Sequence, residues 1–131
     1  MVQGCKMNTN ISRSPVVLLL EDEALIAVDL QDELQDAGFE VAGPFTACTA
    51  ALEWLETNTP DAAILDAALK DGSCREIAFE LERREVPFLI YSGHSEDCGL
   101  MAELDHVAWI EKPMPPVVLV QACQQLLTRG D

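Results

Sequence analysis

An alternation that recurs five times constrains this chain most: a short apolar run, then a stretch with apolar residues at helical spacing. Val16-Val17-Leu18-Leu19-Leu20 is continuously apolar and β-branched at its start, the pattern of a strand covered by helices on both faces. Residues 24–37 follow, with Ile26, Leu30, Leu34 and Ala37 at steps of four, four and three, and Gly38 stands where a left-handed turn would end a helix. The cycle returns as 39–42 with 48–56, 62–65 with 74–84, 88–91 with 97–104, and 107–110 with 117–128, where Pro115 and Pro116 suit a first helical turn. Five such units predict an α/β, doubly wound parallel sheet of five strands, with right-handed crossovers and helices on both faces. The flavodoxin-like order 2-1-3-4-5 is the common solution at this size, although periodicity alone leaves the order open.

Composition narrows the function classes. The chain has 131 residues, with 8 Lys and Arg against 23 Asp and Glu, a formal charge of −15. Nucleic acid and anionic membranes are bound mainly through Lys and Arg releasing phosphate counterions, so neither is expected as a partner. A 49% apolar fraction at this length suits one folded unit, read as a polar tail over residues 1–14 and a domain over 15–131. Cys5, Cys48, Cys74, Cys98 and Cys123 form no C-x-x-C pair, and their odd number makes a poor disulfide framework, which suits a reducing cytoplasm. The longest apolar run is the five residues of 16–20, far short of the ~20 of a membrane helix, and no apolar run precedes Cys5 to form a signal peptide.

Ligands of open α/β sheets bind beyond the carboxyl ends of the strands. There the sequence places Glu21-Asp22-Glu23, then Asp66, then Ser92-Gly93-His94, then Glu111-Lys112-Pro113. Carboxylates converging at one edge repel one another unless a cation neutralises them, and magnesium takes one or two carboxylates together with a phosphate oxygen. Glu21, Asp22 and Asp66 are the candidate ligands, and Lys112 is the matching positive charge. Taken alone, Glu21 to Glu23 would read as an acidic helix start favoured by the helix dipole. Asp66 resists so plain a reading, because an ionised group directly after Ala62-Ala63-Ile64-Leu65 needs a partner.

From residue 16 to residue 127 the sequence resembles the receiver domain of two-component response regulators. The resemblance rests on Val17-Leu18-Leu19-Leu20-Glu21-Asp22-Glu23, Ala63-Ile64-Leu65-Asp66-Ala67-Ala68-Leu69-Lys70-Asp71-Gly72, Tyr91-Ser92-Gly93-His94 and Glu111-Lys112-Pro113. It implies that Asp66 accepts a phosphoryl group from a histidine kinase or histidine phosphotransfer protein. It assigns magnesium to Glu21, Asp22, Asp66 and the backbone carbonyl of Ala68. Lys112 becomes the phosphate-contacting lysine, Ser92 the switch hydroxyl and Trp109 the aromatic switch. Ala68 and His94 fall where family members tune the lifetime of the phosphoryl group, whereas His106 reads as a surface residue. The stretch Pro87-Phe88-Leu89-Ile90-Tyr91-Ser92-Gly93-His94 is most similar to an alphaproteobacterial subgroup of stand-alone receivers with a Pro-Phe entry and a Thr-Gly exit. It departs from that pattern at Ser92, in place of threonine, and at Tyr91, where a small residue is usual. Lys70 stands where the family usually has proline.

The expected role is a single-domain regulator of a phosphorelay that catalyses only its own aspartyl phosphorylation and slow dephosphorylation, and so is no enzyme in the ordinary sense. Too few residues follow 128 for an output domain, so output is expected through another protein. A phosphate shuttle, a sink for a shared kinase and a pseudo-receiver that binds without phosphorylation are the alternatives. A small phosphohydrolase would need a second acid where Ala68 stands. A flavin carrier would need a phosphate loop in place of Glu21-Asp22-Glu23. The segments 97–104 and 117–128, the predicted fourth and fifth helices, are candidates for a homodimer face through Leu100, Met101 and Val118. Gly99 weakens the first of them.

Overall fold

The computed structural model describes residues 14–69, 72–93 and 106–129. In chain order the elements are β1 (Val16–Leu20), α1 (Ala24–Asp36), β2 (Glu40–Phe45), α2 (Cys48–Leu55), β3 (Ala62–Asp66), β4 (Ala68–Leu69), β5 (Gly72–Ser73), α3 (Arg75–Arg83), β6 (Phe88–Ser92), β7 (Ala108–Glu111) and α4 (Pro116–Arg129). The main sheet is parallel, in the order β2-β1-β3-β6-β7. With the small β4–β5 hairpin set aside, this is the expected order 2-1-3-4-5. That antiparallel hairpin, pairing Ala68 with Ser73 and Leu69 with Gly72, was not foreshadowed by the apolar pattern.

The pleat explains why the strands are apolar throughout. Successive side chains point to opposite faces, so Leu18, Leu20, Ala63, Leu65 and Ile90 pack with Ala51, Leu55, Ile77 and Leu81 of α2 and α3. Val17, Leu19, Ile64, Leu89 and Tyr91 pack on the other face with Leu30 and Leu34 of α1 and Leu119 and Cys123 of α4. Each face carries its own core, and no polar position in a central strand would be tolerated cheaply.

Element ends follow from local chemistry. At the end of α1, Gly38 has φ +97°, its N–H donates to Gln35 O at 3.0 Å, and the N–H of Phe39 donates to Leu34 O at 3.0 Å. These are the two bonds of a Schellman motif, closed by Phe39 and Leu34 joining the same apolar cluster. The end of α3 repeats the motif without glycine. Glu85 has φ +61°, its N–H donates to Glu82 O at 3.0 Å, and Val86 N–H donates to Leu81 O at 2.9 Å.

Strand β2 runs three residues beyond its apolar core, to Phe45, because the backbone bulges at Gly43-Pro44, shifting the register against β1 between Leu18 and Leu20. A Cβ at Gly43 (φ +111°) would stand 2.6 Å from Phe45 N and 2.7 Å from Leu19 O, so only glycine fits. The bulge delivers the Phe45 carbonyl to the N–H of Glu21 at 3.0 Å, fixing the backbone where the acidic run begins.

Candidate functional site

The carboxyl ends of β1, β3, β6 and β7 converge. Glu21 directly follows β1, and its side chain is almost fully buried, with Oε2 accepting the Glu23 N–H at 3.0 Å. Glu23 is the N-cap of α1 but makes no side-chain cap bond, and the first turn carries no acid. The acidic run is therefore more than dipole decoration. Asp66 ends β3, paired in register with Tyr91 of β6, and is 4% exposed. One carboxylate oxygen from each of Glu21, Asp22 and Asp66 lies within 4.8 Å of the others.

Lys112 enters from the loop after β7, its N–H donating to the Ser92 carbonyl at 2.8 Å. Its Nζ donates to Asp66 Oδ2 at 3.1 Å and stands 3.5 Å from Glu21 Oε1 and 3.8 Å from Glu23 Oε1. Burial alone would lower the Lys112 pKa, but the charges of Asp66 and Glu21 outweigh it and hold the ammonium above its usual value. Gly93 packs on the lysine stem, where an added Cβ would meet Cβ and Cδ of Lys112 at 3.4 Å.

Glu21 answers the same field with the opposite sign. Desolvation by burial, reinforced by the neighbouring Asp66, pushes its carboxyl up to about 7 against the pull of the Glu23 N–H and Lys112. Its Oε1 is buried without a hydrogen-bond partner. A buried acceptor oxygen aimed into a cluster of hard oxygen donors is what a magnesium site requires, so these residues fit that ion.

The structure thus brings together Glu21, Asp22, Asp66 and Lys112, with Ser92 buried at the end of β6 one residue beyond the Asp66–Tyr91 pair. Trp109 is half-buried, registered against Ile90, and packs against the α2–α3 core. It is therefore on the same sheet face as Ser92, one strand over. Ala68 lies in β4, and His94, Lys70 and the segment 97–104 fall outside the described residues. His106 is exposed, as expected of a surface residue, and pairs with Glu82. Tyr91 stood out in the sequence only as a bulky departure beside Ser92, with no sign of its contact with Lys112, and Met114, which bonds to the Tyr91 hydroxyl, escaped the sequence reading.

A family model described as the response regulator receiver domain matches residues 17–124. The chain belongs to this family. This receiver is 32% identical over 115 residues to the transcriptional regulatory protein PdtaR of Mycobacterium tuberculosis, covering 79% of this chain and 55% of the relative. It is 31% identical over 127 residues to PrrA of Mycobacterium leprae, covering 94% of this chain and 54% of the relative. The receiver thus spans about half the length of these curated relatives. Among solved structures it is similar to a response regulator receiver protein of Sinorhizobium medicae, with TM-score 0.81, 24% identity and coverage of 92% and 99% of the two chains. It is also similar to SdrG of Sphingomonas melonis, with TM-score 0.73, 29% identity and coverage of 88% and 97%. No helix among the described residues is long and apolar enough to cross a membrane.

Proposed function

We propose that this receiver is phosphorylated on Asp66 by a phosphohistidine donor and signals through altered protein binding. The observation that carries the reading is a nearly buried Asp66 carboxylate held 3.1 Å from Lys112 within a three-carboxylate cluster at the sheet edge. Carboxylates are weak nucleophiles, so positioning and charge neutralisation must supply the rate. Register pairing with Tyr91 fixes the Asp66 backbone, and burial limits the water that competes for phosphorus. An oxygen of Asp66 attacks phosphorus, the P–N bond to the donor imidazole breaks, and the imidazole takes up a proton. Lys112 offsets charge on the transferring oxygens, and Ser92 is the hydroxyl nearest along β6 to contact the product phosphate. Glu21, Asp22, Asp66 and the Ala68 carbonyl would hold magnesium, which would supply positive charge to offset that of the carboxylates and of the incoming phosphoryl group.

The chain promotes only its own phosphorylation and hydrolysis in this reading. Its expected partners are a histidine kinase or phosphotransfer protein upstream and a protein downstream. Incubation with a phosphohistidine donor or acetyl phosphate and Mg2+ should give one acid-stable, base-labile phosphate per chain, absent in Asp66→Asn. A folded, Mg2+-binding wild type that incorporates none under either donor is a pseudo-receiver instead. Transfer back to a phosphotransfer protein faster than hydrolysis would mark a shuttle.

A further inference from the structure

The residue before Ser92 is a tyrosine whose surroundings tie it to Lys112 rather than to the core alone. Tyr91 is 3% exposed, and its ring lies beneath the Lys112 ammonium, with Nζ 5.0 Å from the ring centroid. Its hydroxyl makes two bonds to one residue of the loop that carries Lys112, accepting the Met114 N–H at 3.3 Å and donating to the Met114 carbonyl at 3.3 Å. The same strand holds the lysine backbone through Ser92 O and Lys112 N–H at 2.8 Å. Tyr91 is also the register partner of Asp66. One side chain therefore spans the acceptor strand, the lysine and the loop behind it.

We propose that Tyr91 is a positioning residue for Lys112: its ring face and its hydroxyl clamp on Met114 hold the ammonium on Asp66. The inference rests on the reading of Asp66 as phosphoacceptor. A lysine has four rotatable side-chain bonds and three exposed or buried carboxylates within reach here, Glu21, Glu23 and Asp66. Without the ring, the ammonium is free to swing to the exposed Glu23, away from the oxygen it must serve. Cation–π attraction strengthens where water is excluded, and Lys112 is only 17% exposed.

The test combines two readouts on the full chain. In the absence of any donor, the ε-methylene protons of Lys112 should resonate upfield of free lysine, because the ammonium they adjoin stands over the Tyr91 ring. That shift should persist in Tyr91→Phe and vanish in Tyr91→Leu. With acetyl phosphate and saturating Mg2+, the rate constant of Asp66 phosphorylation should fall about tenfold in Tyr91→Leu and about twofold in Tyr91→Phe. In a Lys112→Ala background, Tyr91→Leu should have no further effect, whereas a merely structural role would lower the rate again. An unshifted Lys112 in wild type, or equal losses from Tyr91→Leu with and without Lys112, overturns the proposal even if the leucine variant folds poorly. A wild type that shows the shifted lysine but accepts no phosphate instead refutes the phosphoacceptor reading, and the positioning role falls with it.

Discussion

Glu21 is a carboxyl group in a place where ionisation is resisted, and this makes metal-free stability depend on pH in a direction opposite to most acids. Its pKa rises from 4.5 to about 7 on folding, so between those values the folded protein binds a proton that the unfolded chain has released. Stability contributed by this group is full below pH 4.5 and is lost as pH rises toward 7. Glu21→Gln keeps an oxygen for the Glu23 N–H but never ionises. In EDTA, therefore, the variant and wild type should melt together near pH 4.5, and the variant should gain about 3–8 °C in Tm by pH 8. A difference in Tm that is flat across this range would show that Glu21 ionises normally. Mg2+ at pH 8 should reverse the order, raising the wild-type Tm more than that of the variant, because binding to the folded state alone stabilises it.

At the scale of elements, the two Schellman endings make a matched pair of predictions. Gly38 at φ +97° has open space around a would-be Cβ, so Gly38→Ala pays only for the backbone, about 1 kcal/mol of lost stability. Glu85 already holds a left-handed conformation at φ +61° and should gain about the same from Glu85→Gly. Urea midpoints at constant m-value measure both, and a loss on Glu85→Gly would mean that the glutamate side chain holds the turn. The pair also shows what a sequence can and cannot signal. Gly38 advertised the end of α1, whereas nothing distinguished Glu85 from a solvated surface acid. Strands β1, β3 and β6 were legible because burial on both faces leaves an apolar run, and their ends located Glu21, Asp66 and Ser92. The extension of β2 was not, because it depends on a glycine bulge whose fit is set by Leu19 and Phe45 from two strands. Lys112 was legible as a charge beside acids. Its seat on Tyr91 was not, since a ring in an apolar run gives no sign of which cation crosses it.

Across the whole molecule, the pleat divides the site between two layers. Lys112 and Tyr91 belong to the face that carries α1 and α4, while Ser92 and Trp109 belong to the face that carries α2 and α3. Asp66 stands at the edge where the two meet, so a phosphate there can draw on Lys112 from one layer and Ser92 from the other. Movement of Ser92 toward the phosphate would open space on the face that Trp109 shares, and the indole should follow. Phosphorylation adds about two negative charges at the strand edge, and a partner that prefers the new surface by about 1–3 kcal/mol is enough to transmit the signal. The probe is emission from Trp109 in a Trp54→Phe background, because Trp54 packs against Phe45 with ring centroids 6.4 Å apart and would add a signal of its own. A formal charge of −15 repels iodide, so quenching should be read with neutral acrylamide. Full phosphorylation should change both emission and quenching, and Asp66→Asn should abolish both changes. If emission and quenching stay constant while Asp66 carries phosphate, Trp109 is a fixed part of the α2–α3 core and the signal leaves the sheet by another route.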